Sequence, residues 1–467
     1  MPESPPYHRS IRDLTDAYAR GTLSPVDVAE AVLDRIEQLD GELHAYVTVT
    51  ADLARSQARA AAERYGRGET APLLGVPLSV KDAFHLADTE TSLGSLTQRG
   101  RIARSDSGVV ARLRAAGAVM PGKTNVPEFC QSATTENRLG PDTGNPWDPA
   151  RTSGGSSGGA AASVGAGLAT AAVGSDGGGS IRIPAAFCGL VGFKPTTGIC
   201  ADERGFRAMT DFATAGPLTW TVDDARIVAE VLCGQPLAAD TASRLRIGYC
   251  PRPGGHPVER PILDILGRVA GVLSDLGHEV TDCEVPVAGW RDIFGPLILD
   301  DELRERQHLL AQPDILTGYQ RATLRAAENL TSAEVGKART ELEKYRARMD
   351  AYLTRFDVVL TPTVACVAFP HRDRPSYIAG APVDWLWGPF PFTAPFNVAA
   401  TPAITLPVGL SDGLPVGAQL IAARGRDAEL LRIAESLEDA VAFDHGPVRD
   451  RWDLERRAAH SIAESVS

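Results

Sequence analysis

The sequence predicts an α/β fold, a parallel or mixed sheet covered by helices, on three observations. Short apolar runs of strand character alternate with amphipathic helical stretches along the 467 residues, which is the pattern that builds α/β layers. With 43% apolar and 23% charged residues, the chain can bury a large core. Its Pro- and Gly-rich stretches are short and lie between apolar runs. One large domain over 1–467 is therefore expected, although a length prior of about 150 residues per domain suggests more.

The first hundred residues open on helices. Ser10 is placed to cap a helix from Ile11 to about Arg20, with Asp13 at its third position and Gly21 as its stop. Ser24 and Pro25 begin a second, Val26 to about Leu39, whose Val28, Val32, Ile36 and Leu39 share a face. Asp52–Arg64 reads as an Ala-rich third helix, and Leu73–Val80 as a buried strand running into Lys81. A helix over Gly108–Ala116 and a strand over Ala118–Met120 follow. Next come an Ala-rich helix over Ala160–Ala172 and a strand over Leu190–Phe193, ended by Pro195. Arg244–Cys250, Pro261–Leu276 and Glu279–Val285 read as strand, helix and strand, a unit able to form its own lobe. A long charged helix is expected over Ser332–Arg355. Strands over Asp357–Leu360, Ala403–Val408 and Gly417–Ile421, and a helix over Ala428–Ala440, complete the alternation.

Composition narrows the function classes. A net charge of −12 repels phosphate backbones, which argues against direct nucleic-acid binding. The seven cysteines are scattered without a CxxC pair and read as buried thiols of a reducing compartment. The nine histidines form no HExxH pattern, so no metal is expected. The N-terminus MPESPPYHRS has neither a basic start nor an apolar run, and no apolar stretch reaches the ~18 residues of a membrane span. A cytoplasmic protein follows as the expectation.

The chemistry concentrates in Gly154–Pro184, where Ser156 and Ser180 lie 24 residues apart in glycine-rich backbone. Acyl transfer needs an exposed nucleophile beside bare amide donors. Gly154-Gly155-Ser156-Ser157-Gly158 matches the G-x-S-x-G elbow of α/β-hydrolases, but an elbow follows a buried strand and here Asp148–Ser153 precedes it. Neither glycine cluster supplies the Lys-Ser/Thr that completes a P-loop, so no nucleotide cofactor is indicated. In Ser175–Arg182 three glycines precede Ser180, which lets consecutive N–H groups converge on an oxyanion. Asp176 and Arg182 flank that turn and can pair across it. A serine also needs a base. A histidine brought in by the fold is one source, and Lys81, at the end of the apolar run LLGVPLSV, is another.

Taken together, these segments resemble the amidase signature family. The likeness covers VPLSVKD around Lys81, GKTNVPEF at 122–129, GNPWDPARTSGGSSGG at 144–159 and GSDGGGSIRIPAAFCGLVGFKPT at 174–196. It continues in GPLTWTVDDA at 216–225, DVVLTPT at 357–363, PFNVAATPAITLPVG at 395–409 and LPVGAQLIA at 414–422. The catalytic core is thus expected at about 70–225 and 357–425, with a less typical region at about 244–350. The resemblance implies one α/β/α domain with a twisted mixed sheet, and a Ser-Ser-Lys triad. Ser180 takes the place of the nucleophile, Ser156 that of the bridging serine on a cis peptide, and Lys81 that of the base. The amides of Gly177, Gly178, Gly179 and Ser180 fall where the family forms its oxyanion hole. Cys130 falls where a backbone carbonyl contacts the substrate. The family's usual residue after the aspartate is larger than Gly177, a departure that adds flexibility to the turn. No cofactor or metal is implied.

The expected activity is hydrolysis of a linear carboxylic amide through an acyl-enzyme. The alternative is the A subunit of a tRNA-dependent amidotransferase, although Arg304–Tyr345 lacks the tyrosine-rich segment expected there. The base would have to be uncharged, a fall of about 3 units from the ordinary lysine pKa of about 10.4. The aromatic loop Trp385–Phe392 is a candidate wall for an apolar acyl group, with core packing as the competing role. The expected partner is a small-molecule amide, with a homodimer left open.

Overall fold

The structure, a computed structural model, describes residues 5–200, 209–239, 244–454 and 457. Its centre is an eleven-stranded mixed sheet. In chain order the strands are β1 (Tyr46–Val49), β2 (Leu78–Lys81), β3 (Gly122–Thr124), β4 (Ala171–Asp176), β5 (Val191–Lys194) and β6 (Thr214–Thr219), followed by β7 (Arg246–Tyr249), β8 (Glu279–Asp282), β9 (Val358–Pro362), β10 (Ala403–Ser411) and β11 (Leu414–Ile421). They lie side by side as β1-β3-β2-β4-β6-β5-β10-β11-β9-β7-β8. β3, β2 and β4 run parallel, as do β9, β7 and β8, and antiparallel pairs join these two wings.

Helices cover both faces, as the α/β/α expectation requires. Successive residues of a strand face opposite sides, and β9 makes this visible. Val358 and Leu360 pack with helices Val222–Cys233, Arg260–Asp275 and Asp427–Val441. Val359 packs with helices Trp290–Arg306 and Ser332–Leu353 on the other side. The expected unit at 244–285 does form, and its strands β7 and β8 extend the same sheet at one edge. Among the described residues, no helix is long and apolar enough to cross a membrane.

Local signals explain many boundaries. Ser10 accepts the Asp13 N–H at 3.1 Å and starts the helix Ile11–Ala19. Thr331 and Glu334 form a reciprocal capping box at the head of Ser332–Leu353. Asp412 and Gly413, both at positive φ, make the two-residue turn between β10 and β11.

Three expected elements are corrected. The helix expected over Ala160–Ala172 runs only Gly158–Gly165, and Ala171–Asp176 is instead a central strand. Gly167 at φ +67 breaks the run, and burial between β2 and β6 overrides the helical propensity of alanine. The strand expected from Leu73 begins only at Leu78, because Leu73–Pro77 turns through Gly75 at φ +78. Ala118–Met120 contributes one isolated bridge, Val119 to Pro77, and the strand proper is Gly122–Thr124, beyond Pro121.

Candidate active site

The parallel register of β2 on β4 pairs Val80 with Val173, which carries Lys81 alongside the end of β4. The Lys81 side chain is fully buried. Its Nζ lies 2.7 Å from Ser156 Oγ, 3.0 Å from Ser175 Oγ and 3.2 Å from the Ser175 carbonyl, all within hydrogen-bond distance. Ser156 sits on the loop before helix Gly158–Gly165, and the Gly155–Ser156 peptide is cis. The next residue ties this loop to the glycine turn, with Ser157 N–H donating to the Ser180 carbonyl at 3.1 Å. Lys81 and Ser156 are therefore joined through their side chains. Ser156 and Ser180 are neighbours through backbone, and no hydrogen bond links their hydroxyls among the described residues.

Ser180 follows β4 on a turn held from beneath. The Asp176 carboxylate accepts the Gly179 N–H at 2.7 Å and the Ile181 N–H at 3.2 Å. Arg182 chelates the same carboxylate through Nε and Nη2, both at 2.9 Å, with both side chains fully buried. Asn397 Nδ2 adds a bond at 2.8 Å, and Arg182 also reaches Gln419 Oε1 and Asn397 Oδ1 at 2.6 Å each. Burial alone would raise the Asp176 carboxyl, but the Arg182 guanidinium outweighs it and holds the group well below the usual carboxylate range. The turn is thus anchored on a buried ion pair, the pairing that the sequence spacing suggested.

That anchor takes up one of the turn's amides. The Gly179 N–H is committed to Asp176, whereas no hydrogen bond among the described residues uses the N–H of Gly177, Gly178 or Ser180. Gly179 adopts φ +123, and a Cβ there would collide with the Thr393 hydroxyl, so only glycine suits the position. At Gly178 a Cβ would press on Phe294 at 3.0 Å and Trp387 at 3.1 Å. The room that a larger residue would take at position 177 is occupied by the Met209 side chain.

Ser180 opens into a cavity of about 450 Å³. Cys130, Ser132 and Gly178 line it together with Ser180, and Ile183, Met209, Trp290, Phe294, Ile298 and Trp387 form most of its apolar wall. The Trp387 ring packs edge-on against Trp290 at 5.0 Å and Phe294 at 5.4 Å between centroids. Trp385 and Leu386 stand half-exposed at the mouth. The aromatic loop divides its roles, for Trp385 and Trp387 line the cavity while Phe390 and Phe392 are buried in the core. Cys130 adopts a left-handed φ of 59, and burial pushes its thiol up, against Lys81 and Ser156. It is therefore held protonated and is no competing nucleophile.

Several residues of the site escaped the sequence reading. Ser175, the second hydroxyl on Lys81, lies in the motif already singled out, and strand alternation opposite Asp176 was the signal that could have found it. Trp290, Phe294 and Tyr319 come from helices Trp290–Arg306 and Gly318–Glu328, which sequence analysis did not place. The first of these helices carries Pro296 inside it, which obscures its periodicity.

Comparison with known proteins decides the family. The family profile described as Amidase matches residues 27–431. The chain belongs to the amidase signature family. An acylamidase of Rhodococcus erythropolis is 34% identical, with 92% of this chain and 94% of that protein aligned. A bacterial aryl acylamidase of the amidase signature family superposes with a TM-score of 0.86 at 28% identity, over 97% of this chain and 99% of the other. The A subunit of glutamyl-tRNA(Gln) amidotransferase from Thioalkalivibrio sulfidiphilus is 32% identical over 93% of this chain and 98% of its own length. The fold expectation is borne out, and this amidase signature protein is an enzyme of the amide-hydrolysing class.

Proposed function

We propose that this enzyme hydrolyses a carboxylic amide with an apolar or aryl portion, through an acyl-enzyme on Ser180 served by Ser156 and Lys81. The observation that carries the reading is the buried 2.7 Å bond from Lys81 to Ser156, beside a serine at the foot of an aromatic-walled cavity. To accept a proton Lys81 must be uncharged, and complete burial is the condition that disfavours an ammonium. Ser156 passes its proton to Lys81 and takes one from Ser180, whose hydroxyl turns toward it once substrate binds. Ser180 Oγ attacks the carbonyl carbon. The N–H groups of Gly177, Gly178 and Ser180 receive the oxyanion, each donor worth about 10²- to 10³-fold in rate. The C–N bond breaks, and the amine leaves with the relayed proton. Water then attacks the ester by the same relay in reverse and releases the carboxylic acid.

The likeness to an amidotransferase component favours a second reading, glutamine hydrolysis with ammonia passed to a partner. The aromatic wall argues against it, because glutamine has no sizeable apolar portion to fill the space lined by Trp290, Phe294 and Ile298. The test is hydrolysis by the purified chain of a panel of aliphatic, aryl and amino-acid amides, glutamine included. Turnover of anilides or alkyl amides by the chain alone is expected. Glutaminase activity that requires added partner proteins would replace this reading with the second.

A further inference from the structure

Beside the aromatic cavity lies a second one of about 580 Å³, and Tyr319 and Trp385 line both. Its character is opposite. Four arginines, Arg138, Arg321, Arg372 and Arg374, share the wall with Glu136 and Asp314. Arg372 is neutralised by Asp142, which it chelates at 2.8 and 2.9 Å. The other three are held by neutral oxygens. Arg138 donates to the carbonyls of Asp314 and Leu316, and Arg321 to that of Pro313 at 3.1 Å. Arg374 donates to the carbonyls of Trp385 at 3.2 Å and Leu386 at 3.3 Å, and to the hydroxyls of Ser132 and Thr134 at 3.4 and 3.1 Å. Among the described residues none of the three has a carboxylate within ion-pair distance. Three guanidiniums without a carboxylate partner, against the two wall carboxylates Glu136 and Asp314, leave this wall net positive in a chain with 59 acidic and 47 basic residues.

Arg374 stands at the junction. One hydroxyl it holds, Ser132, lines the aromatic cavity, and the other, Thr134, lines the polar one. Its guanidinium lies 4.4 Å from the centroid of the Trp385 ring. Burial draws this guanidinium below its ordinary value, with Glu136 and Asp384 acting in the other direction. A partly buried guanidinium without a carboxylate partner is a ready receptor for one, since Arg–carboxylate pairs are strong, directional contacts.

We propose that the substrate is amphipathic: an amide whose apolar part fills the aromatic cavity and which carries a carboxylate that pairs with Arg374 and Arg321 in the neighbouring one. This rests on the amidase reading above and names the substrate class within it. Three compounds test it: pentananilide, its analogue with a carboxylate at the acyl terminus, and its analogue with a carboxylate on the aniline ring. The first is the neutral parent. The two anions tell whether the acid belongs to the acyl or the amine side. At least one anion is expected to exceed the parent in kcat/KM by about 10- to 100-fold, the usual worth of a hydrogen bond to a charged group. In Arg374→Gln that ratio should fall at least about 10-fold, mainly through KM. Arg321→Gln, which loses a single carbonyl contact, should lower the ratio less. A purely structural Arg374, pinning the Trp385 loop, would depress all three substrates alike and leave the ratio unchanged. Calorimetry with 4-phenylbutyrate and 4-phenylbutanol reads the same preference without turnover. A parent hydrolysed as well as both anions, or an alcohol bound as tightly as the acid, overturns the proposal while leaving the amidase reading intact. Tight carboxylate binding with no hydrolysis of any compound would do the reverse.

Discussion

Replacing Asp176 with asparagine isolates what anchors the turn that carries Ser180. The carboxylate accepts from three backbone amides, those of Gly179, Ile181 and Arg182, from the Asn397 side chain and twice from the Arg182 side chain. Asn is isosteric but uncharged, keeps one acceptor oxygen, and sets an NH₂ against donors. The fully buried Arg182 then lacks its counter-charge, which costs about 3–5 kcal/mol. Unfolding entropy of about 2.1 cal/mol/K per residue gives roughly 1 kcal/mol/K for 467 residues, so Tm should drop by about 3–5 °C. The freed Gly179 N–H and the loosened turn should also lower kcat/KM on an anilide by about 10²-fold. A second change separates the two effects. Asp176→Asn with Arg182→Met removes the orphaned cation and should recover at least half of the lost Tm, yet no activity, because the turn still lacks its anchor. Thermal melts and steady-state kinetics on folded protein read both. If Asp176→Asn melted within about 1 °C of the parent with activity retained, or if the double variant regained activity, the reasoning would be refuted.

Further perturbations follow from the same geometry. Gly179→Ala forces a Cβ into the Thr393 hydroxyl at a φ that disfavours alanine, and should cost about 1–3 kcal/mol and most of the activity, read by melts and initial rates. Trp387→Ala opens the wall between Trp290 and Phe294. It should raise KM for aryl amides about 10-fold or more while sparing small aliphatic ones. Asp224 tests pH dependence. Burial raises its carboxyl to about 7, although Oδ1 accepts the Ile11 N–H at 2.8 Å, and its Oδ2 has no partner among the described residues. The folded state keeps this proton up to about pH 7 while the unfolded chain releases it near pH 4, so its contribution to stability falls as pH rises between them, by up to about 1.4 kcal/mol per unit. Asp224→Asn keeps the acceptor oxygen and should therefore gain on the parent from pH 4.5 to 7.5 in denaturant titrations. An identical slope in both proteins would remove Asp224 as its source.

Much of this was legible in the residues, and the failures have physical causes. The site motifs are local. Strand β2 delivers Lys81, the glycine turn presents Ser180, and the spacing of Asp176 and Arg182 shows the pair that anchors it. Capping residues such as Ser10 marked helix starts because their hydrogen bonds close within three residues. The alanine run at 160–172 misled because its conformation is set by the neighbouring strands, not by propensity. The aromatic wall of the cavity was hidden for a related reason. Trp290, Phe294 and Tyr319 come together only when helix Trp290–Arg306 packs on the face of the sheet and helix Gly318–Glu328 packs against it. No motif marks a residue whose contribution is shape. Likewise, the commitment of the Gly179 N–H to Asp176 follows from the three-dimensional course of the turn, which the run of three glycines leaves open.

The most direct test is to locate the covalent adduct formed with a fluorophosphonate by peptide mass spectrometry. Attachment to Ser180, abolished in Ser180→Ala and slowed severely in Lys81→Ala at neutral pH, is the expected result. An adduct on Ser156, or labelling of Ser180 that proceeds undiminished without Lys81, would contradict a lysine-driven relay at this site.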